Sequence, residues 1–152
     1  MPITNSGFKK YVEDAGEKIR KDIIRKTELA VQVIGFDCVN EARSTYDYTD
    51  QTGNLTSSMG CAVLNNGQKT YEDTKLSERG TDRHSGLNAA NQMIDRLLSE
   101  YQSGIVMVVF AAMPYATDVE NRHKKIVLST ASLLCDRLCE EELLKLGFIK
   151  RA

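Results

Sequence analysis

The segment YTDQTGNLTSSMG, residues 48–60, marks the change of periodicity that decides how this chain folds. Before it, apolar residues recur at intervals of three and four, whereas after Gly53 the pattern changes to the two-residue alternation of a strand. A second segment, GIVMVVFAAMPYATDVE at residues 104–120, contains a continuous apolar run between Gly104 and Pro114. Such a run predicts a strand that is buried on both faces in the middle of a sheet.

The residues before this segment predict one long amphipathic helix over about residues 6–46. Charged residues separate its apolar positions, which are Phe8, Tyr11, Val12, Ala15, Ile19, Ile23, Ala30, Val33, Ile34, Cys38 and Ala42. A helix of about 40 residues is roughly 60 Å long, whereas the radius of gyration of a domain of this size is about 15 Å. One end should therefore extend beyond the domain, where a second copy of the chain could cover the apolar face. The alternative is a break near Gly35 that folds the helix back on itself.

The remaining residues, about 48–148, predict an α+β body, and residues 1–152 together predict a single domain. The predicted elements are a strand at 55–64, a hairpin turn at 65–67, a strand at about 69–73, a polar loop at 77–86, a helix at about 87–102, a strand at 105–112, a short extended or one-turn segment at 115–120, a polar link at 121–125 and a helix at 129–146. In the last helix Leu133, Leu134, Leu138, Leu143 and Leu146 are predicted to face inward. The fold class is therefore α+β, with a long N-terminal helix and a small, mostly antiparallel sheet that two further helices cover on one side.

Composition limits the classes of function. The formal net charge of −1, with acidic and basic residues interspersed, disfavours non-specific binding to nucleic acid. No apolar run approaches the roughly 20 residues that cross a bilayer, and the N-terminus lacks the apolar core of a signal peptide, so we expect a protein made in a cytoplasm with no membrane partner. The cysteines at 38, 61, 135 and 139 lack the regular spacing of a disulfide framework and are expected to be small hydrophobic thiols.

Three groups of residues could carry chemistry, but each has a simpler explanation. Cys135 and Cys139 share a helix face, yet a zinc site needs further ligands, and neither His84 nor His123 is well placed to supply one. The loop residues 78–85 include acid–base types, which leaves open a small cytoplasmic enzyme, although such loops are usually solvated. Basic groups at 20–26 and 122–125 leave open a nucleic-acid-associated adaptor. We therefore assign no catalytic residue, no cofactor and no metal ligand.

The two opening segments together resemble the signature of a bacteriophage family, the tail-completion and head-tail joining proteins of long-tailed phages. The resemblance is carried by Tyr48-Thr-Asp-Gln-Thr-Gly-Asn-Leu55, with Ser57 and Ser58 following, and by Met113-Pro-Tyr-Ala-Thr-Asp-Val-Glu120. The helix after Val127 and Leu128 is similar in placement to the C-terminal helix of that family, so the resemblance covers most of the chain. Many members follow the Val-Glu pair with an aromatic-Gly-Thr sequence, whereas this chain has Asn121-Arg122-His123.

The resemblance implies a virion structural protein without enzymatic activity, a subunit of a ring at the phage neck that acts in tail completion or head-tail joining. The ring is expected to be a hexameric homo-oligomer, to contact other phage neck, connector and tail proteins, and to let DNA pass without sequence-specific binding. The residues that it points to at the subunit interface are Tyr48, Thr52, Asn54, Leu55, Tyr115, Val119, Glu120 and Arg122. In such a ring Tyr115 is expected to anchor the interface, the alternative being a sheet-edge aromatic within its own subunit, and Glu120 to pair with a basic residue such as Arg122 of the next copy.

Overall fold

A computed structural model describes residues 5–150, so the predicted domain 1–152 extends at both ends outside the described residues. The elements, in chain order, are α1 (Asn5–Thr45), α2 (Asn54–Ser57), β1 (Met59–Asn65), β2 (Gln68–Thr74), α3 (Arg83–Glu100), β3 (Ile105–Ala111), α4 (Ala116–Asn121) and α5 (Ser129–Lys145). The strands form a three-stranded antiparallel sheet in the order β2-β1-β3. The predicted α+β class, with its long N-terminal helix and small antiparallel sheet, is confirmed.

Helix α1 is uninterrupted over 41 residues, which corresponds to about 60 Å. Its buried residues all lie near its C-terminal end, at Ile34, Gly35, Cys38, Val39 and Ala42, and none of residues 5–33 is buried. Gly35 allows the helix to approach the sheet closely, since a Cβ there would lie 3.3 Å from both Cys61 Sγ and Met107 Sδ. The alternative of a break near Gly35 is therefore wrong: the helix passes through this position and packs on the sheet there.

The central strand of the sheet is β1, and the prediction that the apolar run 105–112 lies in the middle is wrong. All residues from Met59 to Leu64 are buried, because β1 has a neighbouring strand on each side. In β3 only Phe110 is buried, and the strand pairs on one side, with β1. An apolar run shows that both faces of a strand are covered, but it does not show whether both edges are paired.

Helices cover both faces of the sheet rather than one. The core on the α1 and α5 face includes Cys38, Val39, Met59, Cys61, Met107 and Val109. The core on the α3 face includes Ala62, Leu64, Ala90, Ile94, Leu97, Val108 and Phe110. Successive residues of a strand point to opposite faces, and since both sets are apolar in β1 and β3, each face needs a cover. The prediction that helices cover only one side of the sheet is therefore wrong.

Several helix, strand and loop boundaries in the structure differ from the predicted ones. Leu55 lies in α2 rather than in a strand, because Asp50 holds this turn in helical form: its Oδ1 accepts from the Gly53 amide at 3.0 Å and its Oδ2 from the Thr56 amide at 2.8 Å. Helix α3 begins at Arg83, so the polar loop predicted at 77–86 ends earlier. The hairpin turn at 65–67 is confirmed, with positive φ at Asn66 and Gly67.

In α5 the inward face is narrower than predicted. Leu134, Cys135, Leu138 and Cys139 pack against the core, whereas Leu133 and Leu143 are exposed. The inward residues follow the three-and-four spacing of a helix face. Leu133 lies off this face, whereas Leu143, four residues after Cys139, lies at its edge. All four thiols are free, and burial raises the pKa of Cys61 to about 12 and that of Cys139 to about 11.

Between residues 5 and 150, no helix is both long enough and apolar enough to span a bilayer.

Candidate functional site

The two segments that carry the resemblance meet in space beside the C-terminal end of α1. Tyr48 and Leu55 of the first segment pack in the same apolar core as Ala116 and Val119 of the second and Ala42 of α1. Ser58 joins the segments directly: its carbonyl accepts from the Ala112 amide at 3.1 Å, and its Oγ accepts from the Met113 amide at 3.3 Å. Residues 48–58 and 113–120, which are about 60 positions apart in the sequence, thus form one site, called the turn cluster below.

The turn cluster also packs closely against residues 79–86 and forms hydrogen bonds with them. A Cβ at Gly53 would lie 2.3 Å from the Arg79 carbonyl oxygen, and one at Gly80 would lie 2.3 Å from the Thr52 carbonyl. Asn54 Oδ1 accepts from the Gly86 amide at 3.1 Å, and the Thr52 carbonyl accepts from the Asp82 amide at 2.9 Å. The glycines therefore allow two backbone segments to come into contact, and Thr52 and Asn54 form this contact within their own chain.

The predicted interface residues differ in how much of each reaches the surface. Leu55 is buried, and Val119 and Tyr48 are half-buried residues packed against the same core. The Tyr48 hydroxyl is buried without a hydrogen-bond partner among the described residues, and burial raises its pKa. Tyr115 and Arg122 are exposed, and Arg122 Nε lies 3.2 Å from Asp118 Oδ1. Of the eight predicted interface residues, only Tyr115 and Arg122 are exposed, and the others are partly or fully buried within the chain.

Glu120 caps helix α5. Its Oε1 accepts hydrogen bonds from the Leu128 amide at 3.0 Å and from the Ser129 amide at 2.7 Å. Leu128, the N-cap residue, has no side-chain oxygen, so Glu120 supplies the acceptor and places negative charge at the positive end of the helix dipole. The predicted pairing of Glu120 with Arg122 of another copy would therefore compete with this capping role inside the chain.

We expect Glu120→Ala to lower the free energy of unfolding by about 1–2 kcal/mol, since two amides at the start of α5 lose their acceptor. Glu120→Gln should lose roughly half as much, because the amide oxygen can still accept but carries no charge. Urea denaturation followed by circular dichroism measures both values. Glu140→Ala is the matched control at an exposed position of the same helix; equal losses for Glu120→Ala and Glu140→Ala would contradict the capping role.

The residues considered for enzymatic or metal chemistry have structural contacts. Asp82 accepts from Ser85 Oγ at 2.8 Å and from Asn54 Nδ2 at 3.4 Å, and these hydrogen bonds lower its pKa. Arg83 Nη1 donates to the Ser77 carbonyl at 2.9 Å, and His84 is exposed. Over residues 5–150, no group of three or more His, Cys, Asp or Glu side chains has the arrangement of a metal site. The glycines at 80 and 86 permit close packing against Thr52 and Asn54.

A second surface lies along α1 and was only partly predicted. Residues 5–26 of α1, called the arm below, carry exposed apolar side chains at Phe8, Tyr11, Val12, Ile19 and Ile23, and the exposed fraction reaches 71% at Tyr11. Farther along, α1 and α5 form a groove, called the α1/α5 groove below. Its apolar residues are Leu29, Ala30, Val33, Ile34 and Leu138, and its charged residues are Asp37, Glu141, Glu142 and Lys145.

Comparison with known proteins adds no relative: no family model matches the chain, and neither a curated protein nor a solved structure is detectably similar to it.

Proposed function

We propose that this chain is a virion structural protein, the subunit of a ring at the head-tail junction of a long-tailed phage that acts in tail completion or head-tail joining. The observation that carries the proposal is the arm, a helical extension with an exposed apolar stripe that its own subunit leaves uncovered. Exposed apolar stripes of this kind mark contacts between proteins. The two segments that resemble the phage family also lie together in the turn cluster, which gives the resemblance a common location in the fold.

The apolar surface of the arm favours association. Full burial of one large apolar side chain contributes about 1.5–3 kcal/mol, and Phe8, Tyr11, Val12, Ile19 and Ile23 are 42–71% exposed, so part of each is already covered. Burial of the remaining surface would contribute about 4–8 kcal/mol, toward the lower end of the estimated loss of about 4–15 kcal/mol in translational and rotational freedom on association. Ring closure adds a further contact for each subunit. The arm thus supports assembly into a closed ring, whereas a single pairwise contact would be weak.

In the proposed assembly the chain forms a hexameric homo-oligomer in the virion neck, beside connector and tail proteins, and DNA passes through the ring without sequence-specific binding. The low net charge of −1 favours assembly of the homo-oligomer, because copies with little net charge repel one another weakly. Tyr115 is the proposed anchor of the turn cluster, since an aromatic ring buries a large area while its hydroxyl keeps a polar contact.

Analytical ultracentrifugation and native mass spectrometry of the purified protein test the proposal. We expect oligomers of one defined subunit number that become dominant as the concentration rises to about 100 µM, and closed rings in negative-stain images. A protein that remains monomeric across this range would overturn the proposal. A species that stops at a dimer would also overturn it, because a two-fold contact closes on itself and leaves no surface for further subunits.

A further inference from the structure

Charge is divided unequally between the arm and the rest of the chain. Residues 5–26 contain seven basic and four acidic side chains, a net charge of +3, and residues 1–4 contain none. Since the whole chain carries −1, residues 27–152 carry −4. Two copies therefore attract each other when the arm of one approaches the body of the other, and repel when two arms or two bodies approach.

The α1/α5 groove has the character that such an arm needs. Its apolar floor is accessible, because Leu29 is 54% and Val33 is 61% exposed. Its rim includes the carboxylates of Asp37, Glu141 and Glu142, while Lys145 pairs with Glu142 at 2.9 Å. The groove thus combines an apolar floor with an excess of negative charge, complementary to the apolar stripe and positive charge of the arm.

The lengths allow about two turns of the arm to lie in the groove. The exposed stripe runs from Phe8 to Ile23, about 23 Å along a helix axis, and the groove spans residues 29–37 of α1, about 12 Å. In helical projection Lys9, Lys18 and Arg20 flank the stripe, so they would face the rim while the stripe faces the floor. The arm cannot reach the groove of its own subunit, because α1 continues without a break from the arm into that groove.

We infer that the arm of one copy lies in the α1/α5 groove of the next copy, in the helix-in-groove mode of recognition. The contact joins two different patches, so it is heterologous, and repeated contacts close into a ring when the rotation permits. The inference rests on the proposed function in one respect, namely that copies of the chain assemble. It goes further by identifying the two surfaces that meet. Pairing of arm with arm is disfavoured, since it would bring +3 against +3.

Two variants that each damage one side of the contact test the inference. Tyr11→Glu/Ile19→Glu places negative charge on the stripe of the arm, and Leu29→Lys/Val33→Lys places positive charge on the floor of the groove. We expect each variant alone to lose self-association by on the order of 100-fold or more, as centrally placed interface residues do. Mixed together they should form a one-to-one dimer with the affinity of one native contact, since one supplies an intact groove and the other an intact arm.

Analytical ultracentrifugation of the two variants and their mixture separates the possible outcomes. If the groove variant assembles like the native protein and the mixture does not form dimers, arms pair with arms and the inference is overturned. If the native protein and both variants assemble equally, another surface joins the copies, which overturns the inference while the proposed function stands. If the native protein itself remains monomeric, both are overturned.

Two controls keep this test independent of folding and of charge alone. Circular dichroism should give native helix content and thermal stability for both variants, because all four altered side chains are exposed. Lys10→Glu makes the same change in net charge as the arm variant but at an exposed position off the stripe. We expect it to weaken assembly less than roughly tenfold, and this residual effect should fall as salt rises. A loss equal to that of the arm variant would show that the stripe is not the contact surface and overturn the inference.

Discussion

The Gly86→Ala substitution is expected to lower the free energy of unfolding by about 3 kcal/mol, although alanine normally stabilises a helix relative to glycine. Gly86 lies in α3, so intrinsic helix propensity favours the change. A Cβ at this position would nevertheless lie 2.1 Å from the Asn54 carbonyl oxygen and 2.8 Å from its carbonyl carbon. Backbone atoms cannot rotate out of the way as side chains can, so α3 or the turn cluster must move. The hydrogen bond from the Gly86 amide to Asn54 Oδ1 would be strained as well.

The matched control is Gly16→Ala, which makes the same change in the exposed part of α1. A Cβ at Gly16 would have no atom within 4 Å, so this variant should be more stable than the native protein by about 0.5–1 kcal/mol. Differential scanning calorimetry should show the Gly86→Ala midpoint lowered by about 6–12 °C. If Gly86→Ala were as stable as the native protein, the close contact between α3 and the turn cluster would not exist.

Local patterns predicted the elements of this fold better than their arrangement. The three-and-four spacing from Phe8 to Ala42 predicted α1, and Asn66 and Gly67 predicted the hairpin, because each signal depends on neighbours in the sequence. The order β2-β1-β3 depends on which strands pair, and the apolar run of β3 does not encode this. Because helices cover both faces of the sheet, the edge strand β3 has the continuous apolar sequence that is typical of a central strand.

The site residues show a related limit. Leu55 and Glu120 were predicted to contact another subunit, yet Leu55 fills the core and Glu120 caps α5. A side chain of a given type can contact a neighbouring copy or groups of its own chain, and the sequence pattern is the same in both cases. The stripe of the arm was more predictable, because a helix longer than its domain leaves part of its apolar face without a cover. The contact of Gly80 with Thr52 could not be predicted, since it depends on the tertiary fold.

The Arg43→Met substitution is expected to lower the free energy of unfolding by about 3 kcal/mol or more. Arg43 Nη1 lies 2.7 Å from Asp73 Oδ1, and Nη2 donates to the Met59 carbonyl at 3.1 Å. The side chains of Arg43 and Asp73 are only 10% and 17% exposed. The arginine thus connects the end of α1 to both β1 and β2. Methionine fills a similar volume but leaves the Asp73 carboxylate without its partner in a poorly solvated position, where an unpaired charge is costly.

The double variant Arg43→Met/Asp73→Leu separates the loss of the ion pair from the burial of an unpaired charge. It should be more stable than Arg43→Met, because removal of both charges also removes the desolvation of the carboxylate. Arg25→Met is the control, since Arg25 pairs with Asp22 at 3.1 Å on the exposed surface of α1, and its loss should change stability by less than about 1 kcal/mol. Urea denaturation at neutral pH measures all three. If Arg43→Met were no worse than Arg25→Met, the contact between Arg43 and Asp73 would contribute no more than a surface ion pair, and α1 would be held to the sheet by apolar packing alone.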